Sequence, residues 1–390
     1  MNFEISQETK RKVENEMPGL LSDVDPDGLL EYSVVYSDRS LNHMSQSFQK
    51  VMNDISATLK RVYHAKAVAV VPGSGTFGME SVARQFATGK KCLVIRNGWF
   101  SYRWSQIFEM GKIPGAETVL NARQSGNEMQ SPFYPAPVEE VVAAIKFERP
   151  DLVFAPHVET SAGMILPDNY LRAVAEAVHY VGGMFVLDCI ASGAIWIDMQ
   201  SIGVDVLISA PQKGWSGSPC CGLVVLSPLA VERIDATTSS SFSCDLKKWL
   251  QIMQAYENGG HAYHATMPTD SLAIFRDVML EMESIGFDTI CGMQQDLGDR
   301  VRALLVSRGF RSVAAKGYQA PGVVVCYTDD PEIKSGRKFR DAGIQVAPGV
   351  PLKCGERDDF QTFRIGLFGL DKLQNIDRTV QSLANAIDCL

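Results

Sequence analysis

Leu207-Ile208-Ser209-Ala210-Pro211-Gln212-Lys213-Gly214 sets a lysine just past a short apolar run. About 25 residues earlier a second run, Met184-Phe185-Val186-Leu187, ends in Asp188. Taken singly, neither residue says much. A lysine is usually a solvated surface charge, and a strand-end aspartate usually caps the next turn. Together they are a candidate pair. Lys213 lies among Ser209, Gln212, Trp215, Ser216 and Gly217, where desolvation and neighbouring cations lower an amine's pKa until it serves as nucleophile and proton shuttle. An acid at the end of the preceding strand can hold a proton on a ring nitrogen.

Working outward, short apolar runs recur at Ala67-Val71, Cys92-Ile95, Leu152-Ala155, Met184-Leu187, Val204-Ile208 and Gly222-Leu226. Helical patterns separate the first four, at Met79-Ala87, Phe100-Met110, Val138-Phe147 and Tyr170-Tyr180. Ahead of them, Ser45 to Tyr63 carries Phe48, Val51, Met52, Ile55, Leu59 and Val62 near helical spacing. This alternation predicts βαβ units around a mostly parallel sheet, an α/β fold with ligands at the carboxyl ends of its strands. A charged and apolar helical segment, Phe275 to Gly309, leads to a smaller α+β unit with strand-like Gly322-Cys326 and Thr362-Leu367 and a last helix near Leu373-Ile387. The expected division is an arm over residues 1–45, a large domain over 46–280 and a small domain over 281–390, joined by a helix at about 275–310.

The chain has 390 residues and a formal net charge of -8 with the charges interspersed, so it presents no basic stripe for a nucleic acid backbone. No apolar run nears the ~20 residues that span a bilayer, and the start, Met1 to Lys10, is polar rather than signal-like, so no membrane role and a cytoplasmic location are expected. Nine scattered cysteines favour reduced, mostly buried thiols. Neither they nor the six histidines show metal spacing, and no metal is expected.

Three other stretches carry candidate chemistry. Pro72-Gly73-Ser74-Gly75-Thr76 joins an apolar run to a helical pattern, where free amides and a helix start suit a phosphate, although such a turn can equally be only tight backbone. Arg364, in the apolar run Phe363-Arg364-Ile365-Gly366-Leu367, needs a partner, either an internal acid or a substrate carboxylate gripped by both arms of its fork. Gly259 to Pro268 is a polar, turn-rich loop.

The joint pattern of Gly73-Ser74-Gly75-Thr76, Asn97-Gly98, His157-Val158-Glu159-Thr160-Ser161-Ala162-Gly163, Asp188 with Ala191-Ser192, Gln212-Lys213 and Arg364-Ile365-Gly366 resembles the class V aminotransferases of the fold-type I pyridoxal phosphate enzymes, nearest the alanine-glyoxylate and serine-glyoxylate branch. The resemblance implies a seven-stranded sheet and pyridoxal 5′-phosphate as cofactor. Lys213 would form the Schiff base and Asp188 would face the ring nitrogen. Ser74, Gly75 and Thr76 would hold the phosphate with Gln212 nearby, and Thr160, or Ser161 in its place, would meet the 3-oxygen. Phe100 would stack on the ring, with Trp99 the rival if the register shifts by one, and Ile190 would cover the other face. Tyr263 and Thr266 would reach the neighbouring subunit's phosphate across a homodimer whose active site lies at the interface. Arg364 would bind the carboxylate of small amino and keto acids.

The chain departs from that family at Tyr36-Ser37-Asp38-Arg39-Ser40-Leu41-Asn42-His43-Met44, which keeps His43 on the substrate side but lacks the Gly-Pro signature and the arginine after the histidine. Substrate identity is therefore open between carboxylate donors and an aminoethylphosphonate. A cysteine desulfurase would need a mobile thiol, for which Cys354 is the candidate, in a loop unlike theirs.

Overall fold

The computed structural model describes residues 29–126 and 128–390. The polar start and most of the N-terminal arm read above lie outside that range. A first helix, α1 (Gln46–Tyr63), is capped by the Ser45 hydroxyl, which accepts from the Phe48 amide at 3.1 Å, and ends where His64 turns left-handed. Its stripe of Phe48, Val51, Met52, Ile55 and Leu59 is buried.

The strands β1 (Ala67–Pro72), β2 (Lys91–Arg96), β3 (Ala116–Asn121), β4 (Leu152–Pro156), β5 (Met184–Asp188), β6 (Val206–Ser209) and β7 (Cys221–Leu226) form one sheet in the order β1-β7-β6-β5-β4-β2-β3. The central ones are buried along their whole length, which is why their sequences are continuous apolar runs rather than alternating ones. Only β7 runs against its neighbours, β1 and β6. All six others therefore point the same way and end on one edge. The loops after them, starting at Gly73, Asn97, His157, Cys189 and Ala210, gather there.

Helices cover both faces. The helix after β1, α2 (Gly75–Phe86), the helix after β2, α3 (Trp99–Gly111), α4 (Val138–Glu148) and α5 (Asp168–Tyr180) are the expected crossovers. Trp104 and Phe108 of α3 close on Phe154 of β4, with ring centroids 4.6 and 5.2 Å away.

Several elements differ from the sequence reading. Strand β3 is not among the apolar runs because Ala116, Glu117 and Asn121 are exposed, leaving only Val119-Leu120 as an apolar pair at the sheet's rim. The helix α6 (Leu246–Glu257) was also unread. The segment read as one piece from Phe275 to Gly309 is two helices, α7 (Thr269–Ile285) and α8 (Phe287–Ser307), broken at Gly286, whose φ of 97° leaves the helical region. Beyond them, β8 (Val323–Tyr327), β9 (Ala347–Pro348) and β10 (Thr362–Gly366) make an antiparallel sheet in the order β8-β10-β9, followed by α9 (Leu370–Gln374) and α10 (Ile376–Ile387). Among the described residues, no helix is long and apolar enough to cross a membrane.

Phe154 is fully buried between two aromatic rings of α3. Phe154→Ala is expected to cost ~3–5 kcal/mol of folding stability, as an unfilled cavity does, measured as a lower urea midpoint with an unchanged slope.

Candidate active site

The loop after β1 begins with Gly73, whose φ of +119° and whose closeness to the Phe77 ring exclude a side chain. Ser74 follows in extended backbone at the start of α2, and its hydroxyl makes no capping bond. A Cβ on Gly75 would come within 2.6 Å of Ile190 and 3.3 Å of Ala210, so the bare glycine lets the loop after β5 close over the loop after β1. The Thr76 hydroxyl accepts a hydrogen bond from Arg103 Nη1 at 3.0 Å. Amides at a helix start and two hydroxyls make this a candidate anion cradle, with the Arg103 guanidinium against it.

Asp188 ends β5, and Lys213 lies in the turn that follows β6, the neighbouring strand of the same direction. Ile208 pairs with Asp188, and Lys213 follows five residues later on the same edge. Asp188 is 7% exposed and accepts the Ile190 amide at 2.9 Å. Burial pushes its carboxyl up to about 7, Glu159 adds to the shift, and the Ile190 amide and Arg103 oppose it. The Lys213 ammonium is lowered from its ordinary range, first by burial and then by the positive charges of Arg364 and Arg103. Its Nζ lies 5.1 Å from the centre of the Phe368 ring. Next to it, Gln212 Oε1 is buried with no hydrogen-bond partner among the described residues.

One buried carboxylate organises the facing wall. Glu159 accepts from the Phe100, Ser101 and Ser161 amides at 3.2, 2.9 and 3.1 Å and from the Ser101 and Ser161 hydroxyls, each at 2.7 Å. It thereby neutralises the start of α3 and fixes Phe100 on its first turn. The two candidate rings have different neighbours. Phe100 is flanked by Arg103 and Arg364, with guanidinium carbons 5.2 and 5.5 Å from its centroid, whereas Trp99 packs against Tyr102 and Lys353. The Ser161 hydroxyl is engaged, donating to Glu159 and accepting from the Trp99 amide, while the buried Thr160 hydroxyl has no hydrogen bond among the described residues. Arg364 leaves β10 with Nε on the Pro348 carbonyl at 2.9 Å, and no carboxylate forms a salt bridge with it among the described residues.

The sequence-predicted residues thus fall into two groups. Ser74, Gly75, Thr76, Phe100, Thr160, Asp188, Ile190, Gln212, Lys213 and Arg364 line the loops at one sheet edge and its facing strand β10. His43, Tyr263 and Thr266 form a separate cluster. The His43 ring lies 5.5, 5.6 and 5.8 Å from those of Tyr36, Tyr263 and His261, and Tyr263 hydrogen-bonds Thr266 at 3.2 Å. Burial and then the neighbouring His261 lower the His43 pKa from its ordinary value. Among the described residues no hydrogen bond, ion pair or ring contact joins this cluster to Lys213 or Asp188. Cys354 packs its sulfur on the Arg96 carbonyl at 3.4 Å, and burial pushes the thiol up to about 12, which suppresses the thiolate that sulfur transfer needs.

Arg103 and Glu159 escaped the sequence reading as functional residues. Arg103 sits three residues after Phe100, the spacing that puts two side chains on one face of a helix, and that spacing was the available signal.

The sequence matches the family described as Aminotransferase class-V over residues 29–354. It is 27% identical to a 2-aminoethylphosphonate–pyruvate transaminase of Pseudomonas aeruginosa over 81% of each chain, and 25% identical to the alanine–glyoxylate aminotransferase of Felis catus over 89% of this chain and 82% of that one. The fold is like that of an alanine–glyoxylate aminotransferase from Nostoc sp., with a TM-score of 0.74 at 21% identity and 88% of each chain covered.

The raised carboxyl of Asp188 has a measurable consequence in the ligand-free chain. Between its ordinary value of 3.8 and about 7 the folded chain holds a proton that the unfolded chain has released. This contribution is therefore fully present at low pH and lost as pH rises through about 7. The stability of wild type relative to Asp188→Asn is expected to fall from pH 4 to pH 7. His157, whose burial lowers it to about 4, pulls the other way but is common to both proteins and cancels in the difference. Urea unfolding of the pair across that range checks it, and a flat difference is the contrary result.

Proposed function

The chain belongs to the class-V aminotransferases, and on that premise we propose that it moves the amino group of a small 2-amino acid, of the alanine or serine type, to a small 2-oxo acid such as glyoxylate or pyruvate, in a ping-pong cycle. Its cofactor is pyridoxal 5′-phosphate. The residues present suit that molecule: a candidate anion cradle for its phosphate, and a buried acid to which no cation is bonded among the described residues. The observation that carries the reading is that Asp188, at the end of β5, and Lys213, in the turn after the adjacent β6, lie at one edge of the sheet, with the single charge of Arg103 acting on both.

In this reading Ser74, Gly75 and Thr76 hold the phosphate with Gln212 beside them, Phe100 and Ile190 bracket the ring, and Thr160 donates to its 3-oxygen. Once bound, the cofactor supplies a carbonyl for an amine and an electron-accepting ring. The protein's own work is placement and proton transfer. Asp188 ionises when a protonated ring nitrogen faces it, and in return keeps that nitrogen protonated. The lowered pKa of Lys213 leaves more of its amine free to take the α-proton and return it one carbon away. Arg364, whose fork retains unbonded donors, orients the substrate carboxylate.

Tyr263 and Thr266 serve the second subunit of a homodimer in this proposal. Tyr263 is 54% exposed and, like the exposed rings of Phe77 and Phe242, sits on the surface. A donor with a phosphonate in place of the carboxylate is the second reading, favoured by the 27% identical transaminase acting on 2-aminoethylphosphonate.

The test is a half-reaction. Purified protein loaded with pyridoxal phosphate is expected to show a visible absorption band that alanine, serine or 2-aminoethylphosphonate bleaches, and the effective donor decides between the two readings. Lys213→Ala should lose the band and at least ~10²-fold in turnover. Arg364→Gln should raise KM for a carboxylate substrate by ~10–100-fold, the equivalent of a charge-assisted hydrogen bond. A loaded protein whose band none of these amines bleaches overturns the proposal.

A further inference from the structure

The anion cradle lacks a full positive charge of its own. Helix α2 offers only a partial charge of about +0.5 at its start, and the doubly charged phosphate of the cofactor needs more. Arg103 is the cation that hydrogen-bonds the cradle among the described residues, through Nη1 to Thr76 Oγ1 at 3.0 Å. Because the Thr76 hydroxyl accepts from Arg103, its own proton is left to donate to another acceptor. Nε and Nη2 of Arg103 have no hydrogen-bond partner among the described residues. The same guanidinium lies 5.2 Å from the centre of the Phe100 ring, one turn back on α3. One side chain therefore touches both the phosphate loop and the ring wall.

Resting on the functional reading above, we propose that Arg103 is a positioning residue: it orients Thr76 toward the cofactor phosphate, adds the charge the cradle lacks, and sets the preference for the phosphorylated cofactor over free pyridoxal. Arg364 does not substitute for it, since its Nε is tied to the Pro348 carbonyl on another strand.

The test uses cofactor-free full-length protein titrated with pyridoxal phosphate and, separately, with pyridoxal, reading the visible band formed with Lys213. Arg103→Gln is expected to weaken pyridoxal phosphate by ~10–100-fold, the size of a lost charge-assisted hydrogen bond, while pyridoxal, which feels only the effect of Arg103 on Asp188, Lys213 and Phe100, is weakened much less. Inorganic phosphate should protect wild type against thermal unfolding and protect Arg103→Gln less. Arg103→Lys, which keeps the charge but not the fork, should fall between wild type and Arg103→Gln, and it carries the test alone if the glutamine variant does not fold. In Arg103→Gln/Thr76→Val the second change should add little to the first, because Thr76 acts in series with Arg103. Equal weakening of both ligands marks a purely structural role and overturns the proposal, as does an unchanged preference in both Arg103 variants. A wild-type protein that forms no band with either ligand defeats the parent reading, whereas a normal wild-type band with unaltered variants defeats only the assignment of Arg103.

Discussion

Asp188 pairs with Pro156 on one side and Ile208 on the other, and this register of three parallel strands is what the active edge depends on. Successive side chains on a strand face opposite sides, so a slip of one residue would turn the acid from the loop edge to the opposite face of the sheet. The runs Leu152–Pro156, Met184–Asp188 and Val206–Ser209 are buried throughout, and two-sided burial offers no competing register that keeps every apolar group covered. Hydrophobic packing far from any polar atom thus sets where the chemistry occurs.

Onto that edge the fold brings charges in an arrangement that is costly when empty. Among the described residues Asp188 has no cation bonded to it, and Lys213 stands near two arginines. Both would be better satisfied by a molecule carrying a positive ring nitrogen and a negative tail. Glu159 is the opposite case. Its carboxylate receives five donors and is satisfied within the chain, so it serves as a rigid joint between the loop bearing Thr160 and the helix bearing Phe100.

Most of this was legible in the sequence wherever local pattern and function coincide. The strand-end aspartate, the lysine after the next strand and the glycine-rich turn are each marked by a neighbouring apolar run. Residues whose role arises only from convergence were not legible. Arg103 reads as an ordinary helical arginine until Thr76, 27 positions away, is folded beneath it. Thr160 and Ser161 were indistinguishable as adjacent hydroxyls until Glu159 and the Trp99 amide claimed one of them. Strand β3 was hidden because a rim position demands little apolar surface. The break at Gly286 lies inside the segment read as one piece, and its backbone angle shows it.

The contact between Gly214 and Gly193 has a mechanical meaning. A Cβ on Gly214 would overlap the Gly193 carbonyl, so the loop after Lys213 and the loop after Asp188 touch through bare backbone. Bare backbone has no side chains to flex and absorb displacement. The backbones that carry the acid and the amine are consequently mounted on a single stiff frame, and whatever motion admits or releases small molecules must be hinged outside that frame.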